Sequence, residues 1–236
     1  MNFTLPPALR NDDNSQAVVA LRRYFGDPYL QRCYTGAYFD SWPPGRGGED
    51  ADRFTAEDLV AVTFLSVTVP PLAARALLVT EADRYSRMLE EVGPDRDLAD
   101  EAELPTPSWP AWQLEYAVRA LPGLGRTTAS KLLARKRPRL LPIWDTVVAA
   151  VFGTQDHHLG PVWEALRHND NQLHHRLTTI RELAGLPQDI SVLRVLDVIA
   201  WMHGKHNHTD GDGDGDGDGD GQLKTDLTLS RRYENH

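Results

Sequence analysis

The sequence predicts an all-α fold, and three observations support this prediction. Apolar residues recur at the spacing of one helix face, as Tyr85, Met88 and Leu89 do. Capping residues and Gly-Pro pairs separate the periodic segments; Thr55 can cap one helix, and Gly93–Pro94 ends another. The segments do not alternate with strand patterns, as they would in a parallel α/β sheet.

The first half of the chain contains four predicted helices. The first, Asn14–Phe25, carries one apolar stripe, and the second begins after Thr55, with Asp58 three residues on as in a capping box. The second predicted helix continues into LVAVTFLSVTV, and this segment is apolar on almost every side, which predicts a buried helix. Its β-branched end leaves a strand as the alternative. Pro70–Pro71 ends this segment and opens the third helix, and Thr80 caps the fourth.

The second half contains six further predicted helices, which follow an acidic and proline-rich loop at residues 95–110. The first of them opens at Ser108 and carries Trp112 and Tyr116, and the next begins near Arg126. The remaining four are predicted at Asp145–Phe152, Pro161–Arg167, Leu173–Ala184 and Val192–Met202.

These helices are predicted to form one domain at residues 14–204, between a loose lead-in at residues 1–13 and a tail at residues 205–236. The 41% apolar content of the 236 residues is sufficient for a core without disulfides or metals. The tail's segment HNHTDGDGDGDGDGDG repeats Gly-Asp without apolar residues, and the tail is predicted to be disordered. Its DxDxDG pattern is similar to a calcium-binding loop, but no Glu stands at the twelfth position, so we expect no metal there.

Cysteine usage and targeting signals limit the function classes. The one cysteine, Cys33, excludes an internal disulfide and a four-cysteine iron–sulfur cluster. The N-terminal sequence lacks the pattern of a signal peptide, and no apolar run approaches the roughly 20 residues of a membrane span. We therefore expect a cytoplasmic protein without a membrane partner.

The distribution of charge indicates a local electrostatic site. The formal net charge is -9, yet seven Lys or Arg residues lie between Arg119 and Arg139. No Asp or Glu occurs between Tyr116 and Trp144. A basic segment in an acidic chain is typical of a site for an anionic partner.

Within this basic segment, LPGLGRTTAS predicts a tight helix–helix turn that binds phosphate. Glycine can adopt positive φ and lets a ligand approach the backbone. The first turn of the second helix presents unpaired amide hydrogens and the positive end of the helix dipole. No side chain here is arranged to read bases, so we expect sequence-independent, salt-sensitive binding of the DNA backbone. The residues expected to bind phosphate are Gly123, Gly125, Arg126, Thr127, Thr128, Lys131 and Arg135.

The longer stretch LPGLGRTTASKLLARKRPRLLPIWDTVV resembles the helix-hairpin-helix DNA glycosylase superfamily. In that family an LPGxGxxTA hairpin precedes a catalytic Asp in a [VL]DT context, and Asp145–Thr146 occupies this place. A weaker resemblance covers DLVAVTFLSVTVPPLAARALL. The resemblance implies a compact glycosylase-like fold, duplex DNA as partner, and a monovalent cation at the hairpin carbonyls. The whole chain also resembles a bacterial family of unknown function.

Three departures from the superfamily pattern change what the resemblance implies. Bifunctional members carry a Schiff-base lysine in the hairpin, where this chain has Thr127, so we expect no lyase activity by that route. Lys131 is the alternative amine, because helical side chains lean toward the N-terminus. The position of the DNA-wedging Gln falls on Val67, and the cysteine cluster of many relatives is absent, so no iron–sulfur cofactor is expected.

Three functions remain open from the sequence. The first is sequence-independent DNA binding, and the second is a monofunctional glycosylase in which Asp145 activates water. The third is a non-enzymatic interaction domain that retains only the fold, in which Asp145 is simply the cap of the helix that follows it. The seven aromatic residues between Tyr24 and Trp42 form either a core cluster, which we favour, or a surface for base stacking.

Overall fold

A computed structural model describes residues 3–43, 50–154 and 157–209, with side chains through residue 205. These residues form ten α-helices and no β-strand, which confirms the all-α prediction. The predicted disordered tail at residues 205–236 begins later than expected, because residues 205–209 continue the last helix; the rest of the tail lies outside the described residues. The helices are α1 (Ser15–Phe25), α2 (Tyr38–Ser41), α3 (Ala56–Ala61), α4 (Pro71–Arg75), α5 (Ala82–Val92), α6 (Pro110–Arg119), α7 (Arg126–Lys136), α8 (Thr146–Phe152), α9 (Leu159–Leu183) and α10 (Val192–Thr209).

The segment predicted as one buried helix after Thr55 is shorter than expected. Helix α3 ends at Ala61, a 3₁₀ turn spans Val62–Leu65, and Ser66 adopts a left-handed conformation with φ 58°. The hydroxyl of Thr63 donates to the carbonyl of Val60 at 2.6 Å, a local bond that competes with a continuing helix. The chain therefore turns here, and residues 65–67 line a cavity instead of continuing the helix.

Helix α9 contains the two helices that the sequence predicts around Pro161–Arg167 and Leu173–Ala184. Residues His168–Asn171 leave helical geometry, and Asn169, Asp170 and Asn171 all have positive φ. Asn and Asp tolerate this conformation better than other residues with a Cβ. The polar run HNDN, at residues 168–171, therefore forms a bend that separates the two helical parts.

Helix α10 is the centre of the core. Residues Val192–Ala200 are all buried, and the helix packs against α1, α8 and α9. Tyr24, Phe25 and Phe39, from the aromatic segment, join this core. Tyr34 stacks on Tyr24 with ring centroids 5.6 Å apart and remains partly accessible. The aromatic segment is thus mainly a core cluster, as favoured from the sequence.

The C-terminal half of α7 is fixed by cations that point into the protein. Lys136 is 4% exposed and pairs with Asp58, whose carboxylate also accepts the amide hydrogen of Thr55 at 2.9 Å. Arg137 is fully buried and donates to the carbonyls of Leu89 at 2.8 Å and Ala51 at 2.7 Å. These bonds tie α7 to α5 and to the segment before α3. The basic segment is therefore not one continuous surface.

Replacement of Arg137 tests this role of a buried cation. Arg137→Met should lower the free energy of unfolding by about 3–5 kcal/mol, because buried acceptors lose a charged donor. The matched control is Arg139→Met, two residues on, whose guanidinium is about half-exposed and pairs with Asp97 at the surface. That variant should lose about 1 kcal/mol or less. Urea denaturation followed by circular dichroism measures both, and equal losses would contradict the assignment.

Candidate functional site

Helices α6 and α7 pack against each other and form a hairpin whose turn is residues 120–125. Gly123 has φ +74°, and Gly125 precedes α7 as its N-cap without a capping side chain. The first helical hydrogen bond runs from the Ala129 amide to the Gly125 carbonyl at 3.0 Å. The amides of residues 126–128 precede this bond, so they have no acceptor within the helix. Gly125 is exposed, and a Cβ there would meet nothing within 4 Å.

The residues predicted to bind phosphate do not all lie at this turn. Thr127 and Lys131 share one face of α7 and line a cavity, whereas Arg126 lies on the other side, 3.7 Å from the ring of Trp144. Thr128 is partly exposed in the first turn. Arg135 is turned away, because its guanidinium donates to the carbonyls of Phe39 at 2.9 Å and Asp40 at 3.2 Å. The structure thus brings six of the seven residues to the start of α7 or the cavity beside it.

The cavity beside the hairpin has a volume of about 530 Å³. One wall consists of Thr127 and Lys131, and a second consists of residues 65–67, including Val67 at the predicted wedge position. The cavity is also lined by Asp145, at the N-terminus of α8, and by Tyr24 and Trp201. The volume lies within the range of small-molecule sites, roughly 300–1,000 Å³.

Asp145 both caps a helix and faces the cavity. Its Oδ1 accepts the Val147 amide hydrogen at 2.9 Å, and its Oδ2 lies 3.3 Å from Nζ of Lys131. Lys131 also donates to the Leu65 carbonyl at 2.9 Å and has a side chain only 6% exposed. The capping role of Asp145 is therefore confirmed, and the same residue lines the cavity. The side chain of Lys131 reaches the cavity, as expected if it points toward the N-terminus of α7.

A second buried ion cluster adjoins this cavity and was missed from the sequence. Arg194 on α10 donates to Asp40 at 2.9 Å, to the hydroxyl of Tyr24 at 2.8 Å, and to Asp197. Arg194 and Asp197 are 5% and 7% exposed, and both line the cavity. Burial raises the pKa of Asp197 to about 6; Arg194 opposes this shift and the charge of Asp145 adds to it. The sequence signal that could have identified this cluster is the pair of charged residues, Arg194 and Asp197, in the apolar stretch VLRVLDVIAWM.

Trp144 connects the cavity side of the hairpin to a neutral, buried histidine. The Trp144 amide donates to Oγ of Ser130 on α7 at 2.9 Å, which holds the residue before Asp145 against α7. Its ring stacks on His158 with centroids 5.4 Å apart. Burial lowers the pKa of His158 to about 4, and the positive charge of Arg126 acts in the same direction. Nδ1 of His158 lies 3.0 Å from the hydroxyl of Thr154.

Comparison with known proteins gives one family. A model of a family of unknown function, DUF6308, matches residues 17–204. The chain belongs to this family. The match spans the predicted domain almost completely and includes Tyr24, Lys131, Asp145, Arg194 and Asp197. Searches of curated proteins and of solved structures found no match.

In the part of the chain that the structure describes, every helix is too short or too polar to cross a membrane. The same part of the chain contains no group of three or more His, Cys, Asp or Glu residues arranged to hold a metal ion.

The buried state of His158 predicts how stability depends on pH. An unfolded histidine binds a proton near pH 6.5, whereas folded His158 stays neutral down to about pH 4. The unfolded state binds more protons between these values. The free energy of unfolding therefore falls as pH is lowered from 6.5 to 4, by at most about 3 kcal/mol from this residue.

Urea denaturation at pH 7.5 and pH 4.5 measures this effect. His158→Gln should reduce the difference between the two pH values, because Gln does not titrate. His157→Gln is the matched control at the neighbouring exposed position and should leave the difference unchanged. An unchanged difference in His158→Gln would show that other groups cause the pH dependence.

Proposed function

We propose that the protein binds the backbone of duplex DNA through the α6–α7 hairpin and accepts an everted nucleotide into the adjoining cavity. There Asp145 would activate water to hydrolyse the N-glycosidic bond, as the resemblance to the helix-hairpin-helix glycosylases implies. The observation that carries this proposal is a cavity of about 530 Å³ that contains Asp145 and begins at the hairpin helix. A base must leave the duplex before an enzyme can act on its glycosidic bond.

The hairpin supports the binding step. Three successive amides at the start of α7 have no helical acceptor, and the helix dipole adds positive potential at the same point. Gly125 leaves the approach to these amides open. Such a site binds phosphate without reading sequence, so binding should weaken as salt is raised. The carbonyl of Leu121 already accepts the Leu124 amide hydrogen at 3.1 Å; a monovalent cation would therefore share this oxygen or use other hairpin carbonyls. No step proposed here depends on that cation.

The cavity supports the chemical step. Rings of Tyr24, Tyr34 and Trp201 offer apolar walls for a base. Oδ2 of Asp145 would take a proton from water, while the carboxylate stabilises positive charge that develops on the sugar. Lys131 holds this carboxylate through its ammonium group. Nζ of Lys131 already donates to two acceptors, so we propose base release without strand cleavage.

One observation favours the alternative of a non-enzymatic interaction protein. Of the seven cations between Arg119 and Arg139, Lys131, Lys136 and Arg137 are buried and Arg135 has a nearly buried side chain. The positive surface available to DNA is therefore smaller than the sequence suggests. This alternative predicts weak DNA affinity with little dependence on salt.

A substitution at Gly125 tests phosphate binding without damage to the fold. The φ of -83° suits any residue, and Asp is a favourable N-cap, so Gly125→Asp should fold normally. Its carboxylate would occupy the position of the phosphate, and affinity for duplex DNA should fall about tenfold or more. Gly125→Asn is the uncharged control and should lose less. Fluorescence anisotropy over a range of salt concentrations measures both; equal affinity of Gly125→Asp and the parent protein would refute the hairpin assignment.

Replacement of Asp145 tests the chemistry. Asp145→Asn keeps a capping side chain for α8 but removes the base, so excision should fall by about 100- to 10,000-fold while DNA binding persists. The assay uses duplexes that contain uracil, hypoxanthine or N7-methylguanine, followed by alkaline cleavage of the abasic product. Excision by the parent protein that survives in Asp145→Asn would remove Asp145 from the reaction. Binding without excision of any of these bases would favour the non-enzymatic alternative.

A further inference from the structure

A second carboxylate, Asp197, lines the same cavity as Asp145. It lies on α10, whereas Asp145 precedes α8, so two different elements bring the two acids to one space. The side chain of Asp197 is 9% exposed, and that of Asp145 is 18% exposed. The sequence alone gives Asp197 no role, because it is 52 residues from Asp145.

Arg194 fixes the orientation of Asp197. Its guanidinium divides its donors between Asp197 and Asp40, and it also binds Tyr24 and the Gly36 carbonyl at 3.0 Å. Asp40 accepts from Nε of the guanidinium and does not line the 530 Å³ cavity. Two carboxylates therefore share one cation, and one of the two faces the cavity.

The surroundings of Asp145 and Asp197 differ. Asp145 has the Lys131 ammonium and a backbone amide as donors. Burial, with the charge of Asp145 as a smaller contribution, raises the pKa of Asp197 to about 6 against the opposing charge of Arg194. Besides Asp145, the charged or titratable side chains that share a cavity lining with Asp197 are Tyr24, Tyr34, Asp40, Lys131, His158, Arg194 and Lys205. A pair of carboxyl groups at one site supplies the acid and the base in most glycoside hydrolysis.

We propose that Asp197 is the general acid of this cavity, which protonates the departing base; this inference rests on the proposed function. The oxygen of water bonds to C1′ of the sugar, and the C1′–N bond breaks with its electron pair on the base. The proton of the attacking water passes to Asp145, and the proton of Asp197 passes to a nitrogen or oxygen of the base. The base leaves neutral, and solvent returns a proton from Asp145 to Asp197.

A pair of substrates distinguishes acid catalysis from a structural role. One duplex contains hypoxanthine, a neutral base whose departure is assisted by protonation. The other has the same sequence with N7-methylguanine, whose ring already carries a positive charge and needs no proton to leave. With the parent protein, single-turnover excision of hypoxanthine should fall about tenfold per pH unit above about pH 6. Excision of N7-methylguanine should lack this slope.

Two variants complete the test. Asp197→Asn should slow hypoxanthine excision by about 100- to 10,000-fold and abolish its slope above pH 6, with less than about a tenfold effect on N7-methylguanine. Asp40→Asn removes a carboxylate from the same guanidinium outside the cavity and should preserve the slope. Circular dichroism and thermal melting establish that both variants fold.

The outcomes separate this inference from the function on which it rests. Equal losses on both bases in Asp197→Asn, or a slope that persists in it, overturn the acid role. Parent-level rates in Asp197→Asn, with excision still abolished in Asp145→Asn, overturn the acid role and leave the hydrolysis intact. Failure of the parent protein to release either base refutes the hydrolysis and the acid role together.

Discussion

The buried ion pair between Lys136 and Asp58 is the interaction on which the position of α7 depends. Asp58 is fully buried, and it also closes the capping box of α3 with Thr55. The same carboxylate thus caps the N-terminus of α3 and pairs with a cation of α7. A buried charge without its partner costs several kcal/mol, so α7 has one stable position relative to α3. The hairpin turn and Lys131 lie on this helix, and their positions follow from it.

The helices were largely predictable because their signals are local. Thr55, Gly93 and the Gly-x-Gly turn mark helix ends that depend on capping and backbone conformation. The end of α3 was not predictable in the same way, because LVAVTFLSVTV is apolar throughout and gives no period to choose between helix and turn. The direction of the basic side chains was also unpredictable. Lys136 and Arg137 look like surface residues in the sequence, and only the acceptors brought by distant segments explain their burial.

The candidate site was predictable only in part, for the same reason. Asp145 and the hairpin residues stand within one stretch of about 28 residues, so a motif can include them. Arg194 and Asp197 come from α10, Tyr24 from α1 and Asp40 from α2. No spacing relates the α10 pair to Tyr24 and Asp40, because their proximity results from packing around α10. Charges within an otherwise apolar helix were the one usable sign, since such residues must find partners when they are buried.

In the proposed function, the shared face of α7 would link binding to chemistry. Thr127 and Lys131 are one turn apart on the cavity side, and the amides of residues 126–128 have no acceptor within the helix. A phosphate bound at these amides would fix the attached sugar relative to Asp145 through one helix, without a loop between them. Positioning of this kind contributes to rate only when the reacting groups are held closely. The buried cations of α7, although lost to the surface, hold this helix in place against α3 and α5.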